Sequence, residues 1–280
     1  MAGFADINAI VNALSVLGYG QALPWSKIKA ANTAAGGLYT LWPEAGTPAA
    51  GVYTGAAQEA VQATSSTTGA LIYTNPGGSR DMFALTATGN AMATAGSGSL
   101  HLWDRLLYYP GLSHAPAALT LTNAVALPRY TTGVGVYAFL EVTTALGAAA
   151  HTCDLTYTDT TDATGNTTGA QTMVASSAAA RIPHAFTWFP LASGDKGIKS
   201  VQTATFAGAG ATGTSALVLA KLLAVIPVTA IGVASIADFV RGPLLALPEI
   251  EDGACLFWTW TCGVASTTPT FSGLVQLCEN

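Results

Sequence analysis

The chain has 280 residues, half of them hydrophobic, so it is long enough to bury a substantial core. Only 9% of the residues are charged, whereas an ordinary soluble domain has about 25%. The net charge is −5 and the ten basic residues are scattered, so nothing indicates a basic face for nucleic acid. So few charges give little repulsion between copies, which predicts a symmetric homo-oligomer, a trimer being favoured, with a surface covered by neighbouring subunits.

Apolar residues recur at helical spacing near the N-terminus, between Asp6 and Gly18. This pattern predicts a short amphipathic helix with the apolar stripe Phe4, Ile7, Ile10, Val11, Leu14 and Leu17. The stripe is expected to be an assembly element, because it needs a partner surface. The segment begins without a basic n-region, so it does not resemble a secretory signal, and we expect synthesis in a cytoplasm.

The segment that follows the helix is rich in Ala, Gly and Pro and has weak periodicity. We therefore interpret residues 1–69 as a helix and an extended arm, and residues 70–280 as the folded domain. The arm is expected to reach a neighbouring subunit or an underlying shell. On this interpretation, removal of residues 1–36 leaves the β domain folded but weakens its attachment.

From about residue 70, short β-type runs alternate with clusters of Gly, Pro, Asn and Ser. Eleven runs qualify as candidate strands, and a short helix is expected at residues 235–242. Many strands without helices between them predict an all-β, jelly-roll-like antiparallel β-sandwich. The runs are ALIYTN, RDMFALTATG, SLHLWDRLLYY, AALTLTN, GVGVYAFLEVTTAL, TCDLTYTDT, AFTWFPLAS, KSVQTATFAG, SALVLAKLLAVIPV, GACLFWTWTC and FSGLVQLC.

The apolar segment 217–240 is long enough to raise the question of a membrane span. Lys221, Pro227 and Asp238 interrupt it, and its β-branched residues suit buried strands equally well. The sequence therefore favours strands here, and no membrane partner is expected.

The stretch HTCDLTYTDTTDATGNTTG, residues 151–169, combines several residue types that metals bind. As a strand, it would place His151, Cys153, Leu155 and Tyr157 on a core face and Asp154, Thr156 and Thr158 on a solvent face. Asp162, Gly165 and Asn166 then supply turn chemistry. The alternatives are a metal site with His151, Cys153 and a distant Cys255, Cys262 or Cys278, and a calcium site from Asp159, Asp162 and Asn166. Neither has a typical ligand spacing, so no metal or cofactor is expected.

The remaining candidates for chemistry have simpler interpretations. The four cysteines lie in apolar runs and are expected to be buried free thiols, with Cys255 and Cys262 on opposite faces of one strand. GSGS at 96–99, GVGV at 133–136 and GAGATG at 208–213 lack the context of a nucleophile or phosphate loop. No catalytic residue emerges. Structural roles are expected for His101, His114, His151 and His184, and a solvated acidic turn for Glu249, Glu251 and Asp252.

Five motifs in order give the chain a resemblance to a known group. They are SLHLWDRLLYYPGL (99–112), LPRYTTGVGVYAFLEVTTAL (127–146), CDLTYTDTTDATGNTTG (153–169), FPLASGDKGIKSVQTATF (189–206) and LPEIEDGACLFWTW (247–260). Over residues 70–280 the chain resembles tailed-bacteriophage virion structural proteins of the capsid-decoration or head-associated type. The resemblance implies a non-enzymatic β-sandwich that coats or extends an icosahedral shell, with the major capsid protein as a partner and the virion as its location.

A second function class stays open on the sequence alone. A jelly-roll module of a virion can bind a carbohydrate or a receptor, and exposed indole rings stack on sugars. The candidate rings are Trp25, Trp42, Trp103, Trp188, Trp258 and Trp260. In strand-rich chains such rings more often belong to the core or to an interface.

Overall fold

A computed structural model describes residues 4–280 apart from residues 31–32, 34, 78–79, 94–96, 148, 174–184, 210, 242–246 and 266. Regular structure in the described residues is almost entirely β-strand, and the only helix among them is α1 (Ile7–Ser15). All of the strand pairs are antiparallel, so the predicted all-β sandwich class is confirmed. His184 and part of the GSGS and GAGATG runs lie outside the described residues.

In the described part of the chain, eighteen strands form three sheets. The strands are β1 (Gly20–Ile28), β2 (Leu38–Thr40), β3 (Ala45–Thr47), β4 (Val61–Gln62), β5 (Met82–Ala93), β6 (Gly98–Ser113), β7 (Ala117–Thr120), β8 (Val136–Thr144), β9 (Thr152–Asp159), β10 (Asn166–Thr167), β11 (Gln171–Thr172), β12 (Phe186–Trp188), β13 (Ile198–Ala207), β14 (Thr214–Val228), β15 (Ser235–Asp238), β16 (Glu249–Ile250), β17 (Leu256–Cys262) and β18 (Thr270–Glu279). The first sheet has the order β15-β5-β18-β1-β3, with β16 beside β5. The second sheet has the order β10-β9-β13-β7, with β11 beside β9.

The third sheet, which we call the curled sheet, has the order β12-β8-β14-β6-β17-β2, with β4 beside β6. Its edges meet, because Tyr39 of β2 forms an antiparallel bridge to Ala185, the residue before β12. Two strands separate Phe139 of β8 from Phe257 of β17, and a flat sheet would hold them about 14 Å apart. Their ring centroids are 6.3 Å apart. The sheet therefore encloses an interior filled with aromatic rings.

The other face of the curled sheet packs on both remaining sheets. On β6, Leu102 contributes to the core shared with the first sheet, and Tyr109 contributes to the core shared with the second sheet. Trp103, between them in sequence, points into the interior. The first of these cores is held by ring stacking of Trp25 on Trp258, whose centroids are 4.5 Å apart. The central strand β6 is therefore buried on both faces, which is why its apolar run is nearly continuous.

Residues 20–62 do not form the extended arm that the sequence suggested. β1 pairs with β18 over nine residues, from Gly20 opposite Cys278 to Ile28 opposite Thr270, and β3 pairs with β1 on its other side. β2 pairs with β17, and β4 pairs with β6. The weak periodicity of this segment arises because its strands are short or contain proline, and pairing with distant strands supplies their stability.

The helix expected at residues 235–242 is also wrong. Residues 235–238 form β15, which pairs with β5 from Ser235 opposite Gly89 to Asp238 opposite Thr86. Ala237 packs towards the first core and Ile236 points outward, which is the two-residue alternation of a strand. Pairing with the long strand β5 therefore decides the local structure of a segment whose own pattern was ambiguous.

Removing residues 1–36 should unfold the protein, whereas removing residues 1–18 should leave it folded. The longer deletion takes away β1 with the buried side chains of Leu23 and Trp25, and it leaves β18 without a neighbour on one side. The shorter one removes α1, which buries Ile10, so it should cost about 1.5–3 kcal/mol or somewhat more. Urea denaturation followed by circular dichroism separates these cases. A cooperative transition of the longer deletion at the wild-type midpoint would contradict this assignment.

Candidate functional site

The predicted assembly stripe divides between a buried and an exposed side. Asp6 caps α1, since its carboxylate accepts a hydrogen bond from the backbone N–H of Ala9 at 2.9 Å. Ile10 is buried in a cluster with Leu85 and Cys278 of the first sheet, and Phe4 and Leu14 pack against that cluster. Ile7, Val11 and Leu17 are exposed, as is Val16. The helix therefore docks on its own domain with one side and offers the other to solvent.

The exposed side of α1 continues into the solvent-side face of the first sheet, and we call the two together the outer face. Strands β1, β5, β15 and β18 point alternate residues inward to the core and outward to this face. The outward residues are Pro24, Ser26, Ile28, Thr86, Thr88, Asn90, Met92, Ile236, Asp238, Ser272, Leu274 and Gln276. Ile28, Met92, Ile236 and Leu274 are exposed. The one carboxylate of this set, Asp238, accepts hydrogen bonds from the backbone of Val240 and Arg241.

A large minority of the charged side chains lie inside the protein. Of the 25 charged residues, 24 are among the described residues, and nine of these are buried, which leaves the surface with even fewer charges than the composition suggests. They are Lys27, Lys29, Glu44, Asp104, Arg105, Arg129, Glu141, Asp159 and Glu279. Charged side chains are seldom fully buried unless they are paired. The outer face is thus part of a surface with little electrostatic repulsion between copies.

Arg105 and Glu141 form an ion pair in the interior of the curled sheet. Arg105 Nη1 donates to Glu141 Oε2 at 2.8 Å, both side chains are fully buried, and the Tyr53 hydroxyl donates to the same oxygen at 2.9 Å. The guanidinium carbon lies 4.6 to 5.4 Å from the ring centroids of Trp42, Tyr53, Tyr108 and Phe257. Ring faces therefore surround a cation whose Nε and Nη2 have no hydrogen-bond acceptor within the described residues.

Asp104, next to Arg105, points to the opposite face of β6. Arg129 binds it with two hydrogen bonds, from Nε at 2.8 Å and from Nη2 at 2.7 Å, and the backbone N–H of Cys255 donates a third at 2.8 Å. Arg129 also donates to the carbonyl oxygens of Ala63 and Arg105. This ion pair joins the loop before β8 to β6 and β17, at the boundary between the two cores. Sequence reasoning missed both ion pairs. The available signal was a pair of adjacent charges inside the apolar run of β6.

The stretch 151–169 is a strand and a turn, as predicted. Cys153, Leu155 and Tyr157 are fully buried on one face of β9. In the turn, the Asp159 carboxylate accepts hydrogen bonds from the backbone N–H groups of Thr161 and Ala163. Asp162 and Gly165 have positive φ angles of 68° and 83°. The Asp162 carboxylate forms an ion pair with Lys199, with Oδ1 and Nζ 2.6 Å apart. In the described part of the chain, no group of three or more His, Cys, Asp or Glu side chains converges as a metal site.

His151 is joined to His114 rather than to a metal. His114 Nδ1 and His151 Nε2 are 2.7 Å apart, His114 Nε2 is 2.7 Å from Ser215 Oγ, and His151 Nδ1 is 3.1 Å from the Ala149 carbonyl oxygen. All three side chains are buried, and the His114 ring lies against Phe206 of the second sheet. A serine, a histidine and a second histidine in line resemble a nucleophile with its base, but this serine is fully buried. The chain of bonds therefore joins the curled sheet to the second sheet.

The other sequence candidates take structural places. All four cysteines are free and buried as predicted, with Cys255 facing the interior and Cys262 the first core, and burial raises the pKa of Cys255 to about 12. Glu249 lies in β16 and Glu251 in the turn after it, where burial and then Glu249 raise the pKa of Glu251. No helix among the described residues is long and apolar enough to cross a membrane, and segment 217–240 contains β14 and β15.

Five of the six tryptophans are buried: Trp25, Trp42, Trp103, Trp258 and Trp260. Only Trp188 is partly exposed. The interpretation of these rings as core is therefore confirmed for five of the six. The rings available for stacking on a sugar at the surface are reduced to one.

Comparison with known proteins gives neither a family nor a curated relative, since no family model and no curated protein matches the chain. Among solved structures, a structure of the Gt strain of infectious bursal disease virus aligns with this chain at 10% sequence identity and a TM-score of 0.20. The alignment covers 93% of this chain and 80% of that one. The structure of the VP2 subviral particle of the same virus aligns at 7% sequence identity and a TM-score of 0.17, covering 93% of this chain and 81% of that one. The structure of T=1 particles derived from this virus aligns at 9% sequence identity and a TM-score of 0.20, covering 97% of this chain and 83% of that one. The weak structural neighbours are thus viral capsid structures, at TM-scores too low to define a shared fold.

Removing one partner of the ion pair of Arg105 with Glu141 should destabilise the protein. Arg105→Met or Glu141→Leu alone leaves the partner charge buried and unpaired, so each should lower the free energy of unfolding by about 3–5 kcal/mol. The double variant removes both charges and should cost clearly less than the sum of the single changes. Urea denaturation of all four proteins measures the coupling. Additive losses would show that the two residues do not act as a pair.

Acid should destabilise the protein through its buried histidines. Burial, and then His151, lowers the pKa of His114 to about 3, and burial lowers that of His101 to about 4, whereas an unfolded histidine has a pKa near 6.5. Below pH 6.5 the unfolded chain therefore binds more protons than the folded one, so stability falls as the pH decreases. The expected slope between pH 6.5 and 5 is up to about 1.4 kcal/mol per pH unit for each histidine.

Urea midpoints measured across this window test the slope, because ordinary carboxylates titrate below it. The His101→Gln/His114→Gln variant should be less stable at pH 7, but its urea midpoint should change less between pH 6.5 and 5. A wild-type stability that stays constant across the window would refute the assignment of these two histidines as neutral groups.

Proposed function

We propose that the protein is a non-enzymatic structural subunit of a virus particle, of the capsid-decoration or head-associated type found in tailed bacteriophages. The observation that carries this proposal is the outer face, a helix-and-sheet surface whose outward strand residues include one carboxylate, Asp238, and several exposed aliphatic side chains, on a chain that buries nine of its charges. Such a face is costly to leave in water and favours association. The resemblance of the five sequence motifs supports the same role.

The buried polar groups support a structural rather than a catalytic role. The ion pair of Arg105 with Glu141 and the chain from Ser215 through His114 to His151 are enclosed in the core, where they join strands and sheets. A nucleophile or general base needs contact with its substrate, and these groups have no exposed surface. In this proposal they stabilise the fold, and the subunit acts through its contacts with other proteins.

The outer face binds a second copy of the chain or a shell protein such as the major capsid protein. A trimer is the favoured homo-oligomer, assembled in the host cytoplasm and then present in the virion. The alternative, a carbohydrate- or receptor-binding module, has less support because Trp188 is the one tryptophan that is not buried.

Charges introduced on the outer face should prevent assembly without unfolding the protein. Ile7 and Val11 are 57% and 55% exposed on α1, so Ile7→Asp/Val11→Asp should keep the fold and reduce the oligomer to monomers. Val134, at 46% exposed, lies in the loop before β8, where it forms an isolated bridge to Gly197, and Val134→Asp is the matched control that should assemble normally. Light scattering coupled to size-exclusion chromatography gives the masses.

Mass spectrometry of purified particles tests the virion role directly, because a decoration or head subunit is present at a fixed copy number. A wild-type protein that is monomeric at micromolar concentration and absent from particles would overturn the proposal. Saturable binding on a glycan array, lost in Trp188→Ala, would favour the alternative.

A further inference from the structure

Among the described residues, the interior of the curled sheet is closed at one end and open at the other. The ion pair of Arg105 with Glu141 and the ring of Trp42 fill the closed end. At the open end lies a cavity of about 270 Å³, which we call the mouth cavity. Five strands, β2, β6, β12, β14 and β17, contribute its lining. Because these strands are hydrogen-bonded into the sheet, the walls are preformed, as is typical of ligand sites.

The walls of the mouth cavity are almost entirely apolar. Trp103, Phe186 and Trp188 supply aromatic surface, and Leu38, Leu222 and Val225 supply aliphatic surface. Trp103 and Phe186 are buried, whereas Trp188 is partly exposed and Val225 is 46% exposed at the rim. No residue of this lining carries a carboxylate, an ammonium or a guanidinium group. An ionic ligand would therefore lose its hydration without gaining a counter-charge.

Two polar side chains complete the lining, and only one of them has free hydrogen-bonding capacity. The His101 imidazole lies 3.2 Å from Thr259 Oγ1 through Nδ1 and 3.0 Å from Ser99 Oγ through Nε2, so both of its nitrogens are engaged. Burial keeps this imidazole neutral at pH 7, since its pKa is lowered to about 4. Thr261 brings a hydroxyl group that can donate or accept one hydrogen bond to a ligand.

We propose that the mouth cavity binds a small, uncharged aromatic molecule with a single hydroxyl or comparable polar group. Its ring lies against the indoles and Phe186, and its polar group bonds to Thr261. The volume suits roughly a one-ring or two-ring molecule. This site is separate from the outer face and does not depend on the proposed assembly function.

The same lining argues against a sugar. A pyranose ring can stack on Trp188, but it carries several hydroxyl groups, and the cavity offers them little beyond Thr261. Polar groups buried without partners cost about 1–3 kcal/mol each. A neutral aromatic molecule with one hydroxyl leaves none unpaired.

The test uses the full-length protein with benzyl alcohol, toluene and methyl glucopyranoside as probes, observed through the indole N–H signals of Trp103 and Trp188 in nuclear magnetic resonance. Both aromatic probes should shift these signals saturably, and the glycoside should not. Val225→Glu places a charge at the rim of the cavity, so it should weaken the binding of both aromatic probes by roughly tenfold or more. Val52→Glu, at 48% exposure and outside this cavity, is the matched control and should bind like the wild type.

A second variant separates the polar contact from the apolar one. Thr261→Val keeps the shape and removes the hydroxyl, so benzyl alcohol should bind roughly fivefold more weakly while toluene is unaffected. The absence of saturable shifts with both aromatic probes, or equal effects of the two glutamate variants, would overturn the proposal. Saturable binding of the glycoside would assign the cavity to sugars instead. Loss of self-association in Val225→Glu, without aromatic binding, would assign it to a second copy of the chain.

Discussion

The structure depends on two adjacent residues of opposite charge, Asp104 and Arg105, that lie on opposite faces of β6 and are both withdrawn from water. A buried charge without a partner costs several kcal/mol, so each face of this strand must bring a counter-charge to it. Arg129 does so on the side of the two cores, and Glu141 does so in the interior. Curling of the sheet around Arg105, with aromatic rings on all sides, and the packing of two further sheets behind Asp104 meet both requirements.

The same arrangement connects the interior to the surface. Some of the charges that would ordinarily keep a soluble protein dispersed form ion pairs in the interior, and the sheet part of the outer face has threonine, serine, amide and aliphatic side chains with one carboxylate, Asp238. The deficit of charge in the composition and the burial of so much of what remains act in the same direction. Both fit a subunit whose stable state includes neighbours.

Local sequence patterns predicted the elements whose stability is decided locally. The alternation of Cys153, Leu155 and Tyr157 gave β9 and its core face, and helical spacing with the cap Asp6 gave α1. Ten of the eleven predicted runs contain a strand. The exception is ALIYTN at residues 70–75, where Leu71 forms an isolated bridge to Leu256. Strand β1 was missed because Pro24 and Lys27 interrupt its pattern, and the structure buries Lys27 by bonding its ammonium to carbonyl oxygens of Glu44 and Pro48.

The contacts that define the candidate sites join residues far apart in the chain, so no local pattern reports them. Arg105 meets Glu141 only because the sheet order places β6 beside β14 and β14 beside β8. His114 meets His151 only because the second sheet packs on the curled sheet. The mouth cavity likewise exists only because Tyr39 meets Ala185.

The low charge of the outer face has a kinetic and a thermal consequence. Electrostatic steering speeds the association of charged proteins and makes their rates depend on ionic strength. A face with so little charge gains no such acceleration, so in the proposed assembly its association is expected to start slowly and to depend little on ionic strength. Its driving force is the removal of apolar surface from water, which weakens on cooling. Temperature, rather than electrostatic screening by salt, is therefore the variable expected to control how firmly the proposed subunits hold together.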